Sequence, residues 1–194
     1  MIISLMELLG KIYNFMLDAM QTILLAASIF LVVYIFLFRP FQVSGESMFP
    51  TFKNKEFILT NLIGLRFKDP KRGDVLVFHA PPDPEKDFIK RVMGLPGDTV
   101  YLKEGYVYIN DKKVDESKYL KSTVLTYGGN FLKEGEKITI PPGNYIVMGD
   151  NRPFSSDSRE WGFLPKDKII GSSLFVYWPL NAMRIVRNPF SASR

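Results

Sequence analysis

The stretch VYLKEGYVYINDKKV, residues 100–114, decides the fold class. Two runs rich in β-branched and aromatic residues, 100–102 and 106–109, flank the turn pair Glu104-Gly105. A second turn pair, Asn110-Asp111, follows at once. Runs of this kind closed by short turn signals predict a hairpin with a brief third strand after it. Outward from this hairpin the same signature recurs at 57–59, 75–78, 88–92, 138–140, 145–148 and 174–178. No stretch beyond Pro40 keeps a helical period for long, so residues 40–194 read as one mainly β domain of antiparallel sheets. There is no internal repeat or linker, and SLFVYWPL is too short to be a second membrane span. The last ten residues, with Arg187 and Arg194, read as a frayed tail.

Length and composition bound the function. A chain of 194 residues with 46% hydrophobic and 14% aromatic residues allows one or two domains with a packed core and excludes disorder. Cysteine is absent and His79 is the only histidine, which removes any Cys/His zinc site and predicts no metal. A Ser-His-Asp triad would have to pass through His79, so a hydrolase here would draw its base from another residue type. Without cysteine, no disulfide indicates the redox compartment.

The window AMQTILLAASIFLVVYIFLF, residues 19–38, carries no charged side chain. As a helix it spans about 30 Å, the thickness of a bilayer's hydrocarbon core, and Arg39-Pro40 ends it. A cleaved secretory signal would have a basic amino end and a small-x-small site after the run. Residues 1–18 instead carry Glu7, Lys11 and Asp18, and RPFQVSGES follows, so an uncleaved anchor fits better than a signal or a buried soluble helix. Three units result: an amino-terminal segment 1–18, a transmembrane helix 19–38 and a domain 40–194. Charge on either side of the span leaves its orientation open. Residues 1–39 hold two basic and two acidic residues, so the net +5 belongs to the domain. That balance suits an anionic bilayer surface or nucleic acid. The basic residues are scattered and no nucleic-acid motif accompanies them, so the lipid surface is the expected partner.

Three segments are overdetermined for ordinary β structure. In SGESMFPT, residues 44–51, Gly45 and Pro50 bend the chain around Ser47, leaving its hydroxyl and backbone N–H available; alone, this also reads as a polar turn. In FIKRVMGLPGD, residues 88–98, strand alternation puts Phe88, Lys90 and Val92 on one face, with Ile89 and Arg91 on the other. A lysine on an apolar face loses charge stabilisation, and one that becomes neutral can take a proton from a serine. Alone, it also reads as a snorkelling surface lysine. In GDNRPFSSDSREWG, residues 149–162, two acids, two arginines and serines crowd one loop after a strand, which can equally be a loop holding its own shape.

Together the segments are specific. S-G-x-S-M-x-P-T, F-I-K-R-V-x-G-L-P-G-D and G-D-N-R-x-x-S-x-D-S-R-x-W-G-F follow in order after an apolar span, with GDVLVF between the first two. Over about residues 20–180 the chain resembles the type I signal peptidases, membrane-bound Ser/Lys endopeptidases that remove signal peptides from exported preproteins. The resemblance implies Ser47 as nucleophile, Lys90 as general base and Ser155 as the residue that orients the lysine amine. It implies Asp150 with Arg91, and Asp157 with Arg159, as supporting ion pairs. Phe41, Val43, Met48, Val77, Phe88 and Ile89 would line pockets for small residues one and three positions before the cut. The implied fold is a β-barrel-like assembly of antiparallel sheets, no cofactor is required, and the catalytic domain lies on the extracytoplasmic side of a plasma membrane.

Some positions depart from the family pattern. Gly45 stands where some bacterial members carry a serine that helps bind the oxyanion, so the hole would rest mainly on the Ser47 N–H. Loss of one such donor costs about 3 kcal/mol in other enzymes. Pro153-Phe154 replaces residues that are commonly polar, and the short stretch from Lys90 to Gly149 marks the compact, Gram-positive-like form. A self-cleaving repressor, the alternative Ser/Lys protease, would carry a DNA-binding module where residues 19–38 lie. A non-enzymatic anchored domain would have no reason to keep Ser47, Lys90 and Ser155 together. His79, at the end of a strand, reads as an ordinary residue.

Overall fold

A computed structural model describes residues 2–191. The chain divides into two units, Met1–Phe38 and Arg39–Arg194. The first is a single helix, α1 (Ile2–Leu37), of 36 residues, about 54 Å long at 1.5 Å per residue. It runs unbroken across residues 18 and 19, where the sequence suggested a boundary. The part Glu7–Leu37 is long and apolar enough to cross a membrane, with an 18-residue window of mean hydropathy 2.3, and its apolar side chains are exposed along its length. The helix stops two residues before Arg39-Pro40, as proline chemistry requires.

Short elements follow in chain order: β1 (Phe38–Gln42), β2 (Phe57–Asn61), α2 (Gly64–Phe67), β3 (Val75–Ala80), β4 (Asp83–Gly94), β5 (Thr99–Lys103), β6 (Tyr106–Ile109), β7 (Lys112–Lys113), β8 (Ile138–Thr139), β9 (Asn144–Met148), α3 (Ser158–Trp161), β10 (Leu164–Pro165), β11 (Ile169–Trp178) and β12 (Arg184–Ile185). Each expected β run overlaps one of these strands. The deciding stretch forms β5, β6 and β7, and its turn residues Glu104, Gly105, Asn110 and Asp111 all have positive φ. That backbone matches the right-handed twist of flanking strands.

The larger sheet has the order β1-β2-β11-β3-β4-β9-β10, with β12 added to β11. The smaller one has the order β7-β6-β5-β8. Pairing is antiparallel throughout the recorded registers. Neither sheet closes on itself among the described residues, so the sheets are as expected but no barrel forms. Strand β3 explains how the large sheet is held. Val75 and Val77 join Val43, Met48, Phe52, Ile58 and Val176 on one face, while Leu76 and Phe78 join Val92, Tyr145, Val147 and Leu164 on the other. Burial on both faces places β3 at the sheet's centre, where each such side chain contributes about 1.5–3 kcal/mol. The small sheet buries Val100, Leu102, Val107 and Ile109 against Met93, Ile146 and Met148, which fastens it to the ends of β4 and β9.

The expectation of a frayed carboxyl end is corrected. Residues 192–194 lie outside the described residues, but before them β12 pairs with β11. The Asn188 side-chain amide donates to Arg72 O at 2.8 Å and Asp74 Oδ1 at 2.7 Å, and the Phe190 ring packs edge-on against Tyr119. Side-chain bonds from a single asparagine replace the missing strand periodicity.

Candidate active site

The loop that carries Ser47 is built by the residues around it. After β1, Val43 donates its N–H to Glu56 O and accepts from Lys55 N, both at 2.8 Å, which closes the loop at its base. Met48 and Phe52 are buried at 1% and 0% exposure and anchor the loop in the core. Gly45 has φ +91°, in the region where a Cβ is penalised, and its N–H donates to Asn54 Oδ1 at 3.1 Å. Ser47 is held half-buried at the top of this turn.

Lys90 comes from β4, 43 residues away in sequence. The β4–β3 register sets Ile89 against Val77 and Lys90 against Leu76. Pairing of β4 with β9 begins only at Arg91, so the outer edge of β4 is open before that point. The Lys90 side chain is buried, its Nζ lies 2.8 Å from Ser47 Oγ and 3.0 Å from Ile89 O, and the Phe88 ring lies 5.0 Å away. Burial lowers its pKa from 10.5 to about 8, partly opposed by the carboxylates of Asp157 and Asp150. An amine that is neutral in a substantial fraction of molecules at pH 8 presents a lone pair to the serine proton.

The loop 149–162 locks both partners. Arg91 makes a two-point contact with Asp150, Nε to Oδ1 at 2.8 Å and Nη2 to Oδ2 at 2.6 Å, with both side chains buried. Arg91 also donates to Gly73 O at 2.9 Å, and Thr51 donates to Asp150 Oδ2. A buried ion pair survives only when its remaining donors and acceptors are satisfied, and here they are. Asp157 accepts from Arg159 Nε at 2.8 Å and Nη2 at 2.9 Å, and from Gly149 N at 3.0 Å. Asn151 then ties the loop to the Ser47 segment: its N–H donates to Ser47 O at 2.9 Å and its amide to Glu46 O at 3.1 Å.

Both ion pairs implied by the resemblance therefore form. Ser155 is placed differently from its implied role. Its Oγ is buried and has no hydrogen-bond partner, so it does not hold the Lys90 amine in this conformation. It stands beside the Ser47 loop: a Cβ on Gly149 would fall on Ser155 Oγ and come 2.5 Å from Ser47 O. From sequence, Asn151 and Thr51 have no role of their own, and Arg152 and Ser158 have only a place in a loop that holds its own shape. Arg152 is fully buried, pairs with Glu116 and Thr126, and donates to Gly149 O at 3.0 Å. The crowding of acids and arginines in 149–162 signals a network around Arg152, but its partner Glu116 lies in an irregular segment with no motif.

A cleft of about 230 Å³ opens between β1 and the free edge of β4. Of the residues expected to line it, Phe41, Val43, Val77, Phe88 and Ile89 do so, joined by Ile58 and Asp87. Met48 does not; it is buried in the core beneath. His79 pairs with Asp87 and not with Ser47, its Nδ1 lying 2.9 Å from Asp87 Oδ1. The volume falls below the 300–1,000 Å³ usual for drug-sized ligands, and suits one or two small side chains.

Residues 16–178 match the family described as signal peptidase, peptidase S26. The chain is 35% identical to signal peptidase IB of Staphylococcus aureus over 186 residues, covering 89% of this chain and 96% of that one. It is 38% identical to signal peptidase I S of Bacillus subtilis over 169 residues, covering 84% and 90%. Among solved structures, a signal peptidase I from Enterococcus faecalis aligns with TM-score 0.45 and 30% identity, over 54% of this chain and 97% of that one.

Proposed function

The chain belongs to the signal peptidase family, peptidase S26, and we propose that Ser47 and Lys90 carry out its reaction, the removal of signal peptides from exported preproteins. The observation that carries the assignment is the 2.8 Å contact between Ser47 Oγ and a buried, weakly basic amine. An extended substrate segment lies along the free edge of β4, and its small side chains one and three positions before the cut enter the cleft. Neutral Lys90 takes the Ser47 proton as Oγ attacks the carbonyl carbon. The backbone N–H of Ser47 faces the developing oxyanion, the donor that remains where Gly45 supplies no side chain. The Lys90 ammonium then returns its proton to the leaving amine, which is the new amino end of the mature protein. The signal peptide stays on Ser47 as an ester. Lys90, neutral again, takes a proton from water as its oxygen attacks the ester carbonyl; the acyl C–Oγ bond then breaks, Lys90 gives that proton to Ser47 Oγ, and the signal peptide leaves with a free carboxyl end.

Arg91–Asp150 and Asp157–Arg159 fix the two loops and touch no reacting atom. Ser155 reaches the Lys90 amine once substrate fills the cleft, which gives its unpaired hydroxyl a partner. Enlarging the residues before the cut blocks the cleft, so small-x-small junctions are preferred. The apolar helix anchors the enzyme in the membrane that holds the substrate's own apolar segment, with the catalytic domain on the extracytoplasmic side.

The direct test is cleavage of a preprotein ending its signal in Ala-x-Ala, in detergent, by wild type, Ser47→Ala and Lys90→Ala. One cut by the wild type, and none by either folded variant, is expected. An active Lys90→Ala enzyme would overturn the assignment of the base.

A further inference from the structure

Asp87 is the acidic side chain in the wall of a cleft whose other lining residues are apolar groups, Gln42, three serines and Lys90, and nothing in the chemistry above uses it. It lies two residues before Ile89 on β4, so the two side chains share a face about 7 Å apart along the strand. Cross-strand registers Val77↔Ile89 and His79↔Asp87 put both pairs on that face. The Asp87 side chain is about one-third exposed, and among the described residues its close side-chain partner is His79, whose Nδ1 meets Oδ1. Lys86, its neighbour in sequence, is turned to Asp83 instead.

We propose that Asp87 reads the charge of the substrate residue five positions before the cut and favours lysine or arginine there, with His79 limiting the charge it presents. The proposal rests on the Ser47–Lys90 reading. With the residue three before the cut seated at Ile89, the next side chain on the same face of an extended segment belongs to the residue five before it. That side chain arrives opposite Asp87, farther from Ser47. A cation gains the Asp87 carboxylate and an anion meets repulsion. At a partly exposed site this discrimination amounts to about two- to fivefold. His79 partly satisfies the same carboxylate, so removing the imidazole strengthens the preference.

The test uses the full chain in detergent and three preproteins that differ only in carrying Lys, Ala or Glu five residues before an Ala-x-Ala junction. The readout is the ratio of kcat/KM for Lys over Glu, which divides out any general loss of activity. Wild type is expected to favour Lys about two- to fivefold, Asp87→Asn to bring the ratio near one, and His79→Gln to raise it above wild type. A wild-type ratio of one, or a ratio unchanged in both variants, overturns the proposal. Failure of the wild type to cut even the Ala substrate would instead overturn the Ser47–Lys90 reading, and this inference with it.

Discussion

Replacing Lys90 with methionine exchanges a buried amine for an apolar chain of similar length, and the structure dictates how stability should respond to pH. Burial lowers the amine pKa from 10.5 to about 8. In the unfolded chain the lysine titrates near its ordinary value, so between about pH 8 and 10.5 the unfolded state holds a proton that the folded state has released. Stability of the wild type therefore rises with pH through that window, and below it the full penalty is present. A shift of about 2.5 units corresponds to about 3 kcal/mol. Methionine carries no such penalty at any pH. Lys90→Met is thus expected to be more stable than wild type by about 3 kcal/mol at pH 7, the gap closing toward pH 10.5. Half-buried Ser47 loses a partner but keeps access to water, which subtracts little. Urea unfolding of both proteins in one detergent, followed by tryptophan fluorescence at pH 7 to 10, measures the gap; taking the difference cancels groups common to both. Under the Ser47–Lys90 proposal the same ionisation governs activity. The neutral fraction of Lys90 is about a tenth at pH 7, half at pH 8 and nine-tenths at pH 9, so cleavage should rise roughly tenfold across that range and then level. A stability gap that is flat in pH, or cleavage indifferent to pH between 7 and 9, would refute burial as the source of the amine's reactivity.

Arg91→Met strands the buried Asp150 carboxylate and is expected to lower stability by about 3–5 kcal/mol, while replacing Asp150 with leucine as well recovers much of the loss; urea midpoints of the two proteins decide it. Gly149→Ala drives a methyl onto Ser155 Oγ and Ser47 O, so cleavage should fall at least tenfold in protein that still unfolds cooperatively. Gly45→Ala meets no atom within 4 Å and pays only for its positive φ, about 1 kcal/mol, read as a lowered Tm. A membrane-impermeant amine reagent on intact cells is expected to label Lys112 and Lys113, which are exposed; complete protection would reverse the orientation.

The hairpin at 100–114 was legible because its determinants are local: turn residues tolerant of positive φ sit between strand-forming runs. The apolar helix was legible for the same reason, since length and absence of charge are properties of a contiguous window. The identity of Ser47 and Lys90 came from motif order. Their contact is tertiary: it requires β4 to pair with β3 in one register and the loop after β1 to be anchored by Met48 and Phe52. The sequence also could not tell a snorkelling Lys90 from a buried one, because burial depends on what Phe88 and the loop 149–162 cover. It was equally silent on β11 lying between β2 and β3, on Glu116 reaching Arg152 across 36 residues, and on Asn188 pinning the carboxyl end. A one-residue slip of β4 would turn Lys90 to the opposite face, so register, a property of the whole sheet, decides whether the Lys90 amine meets the Ser47 hydroxyl.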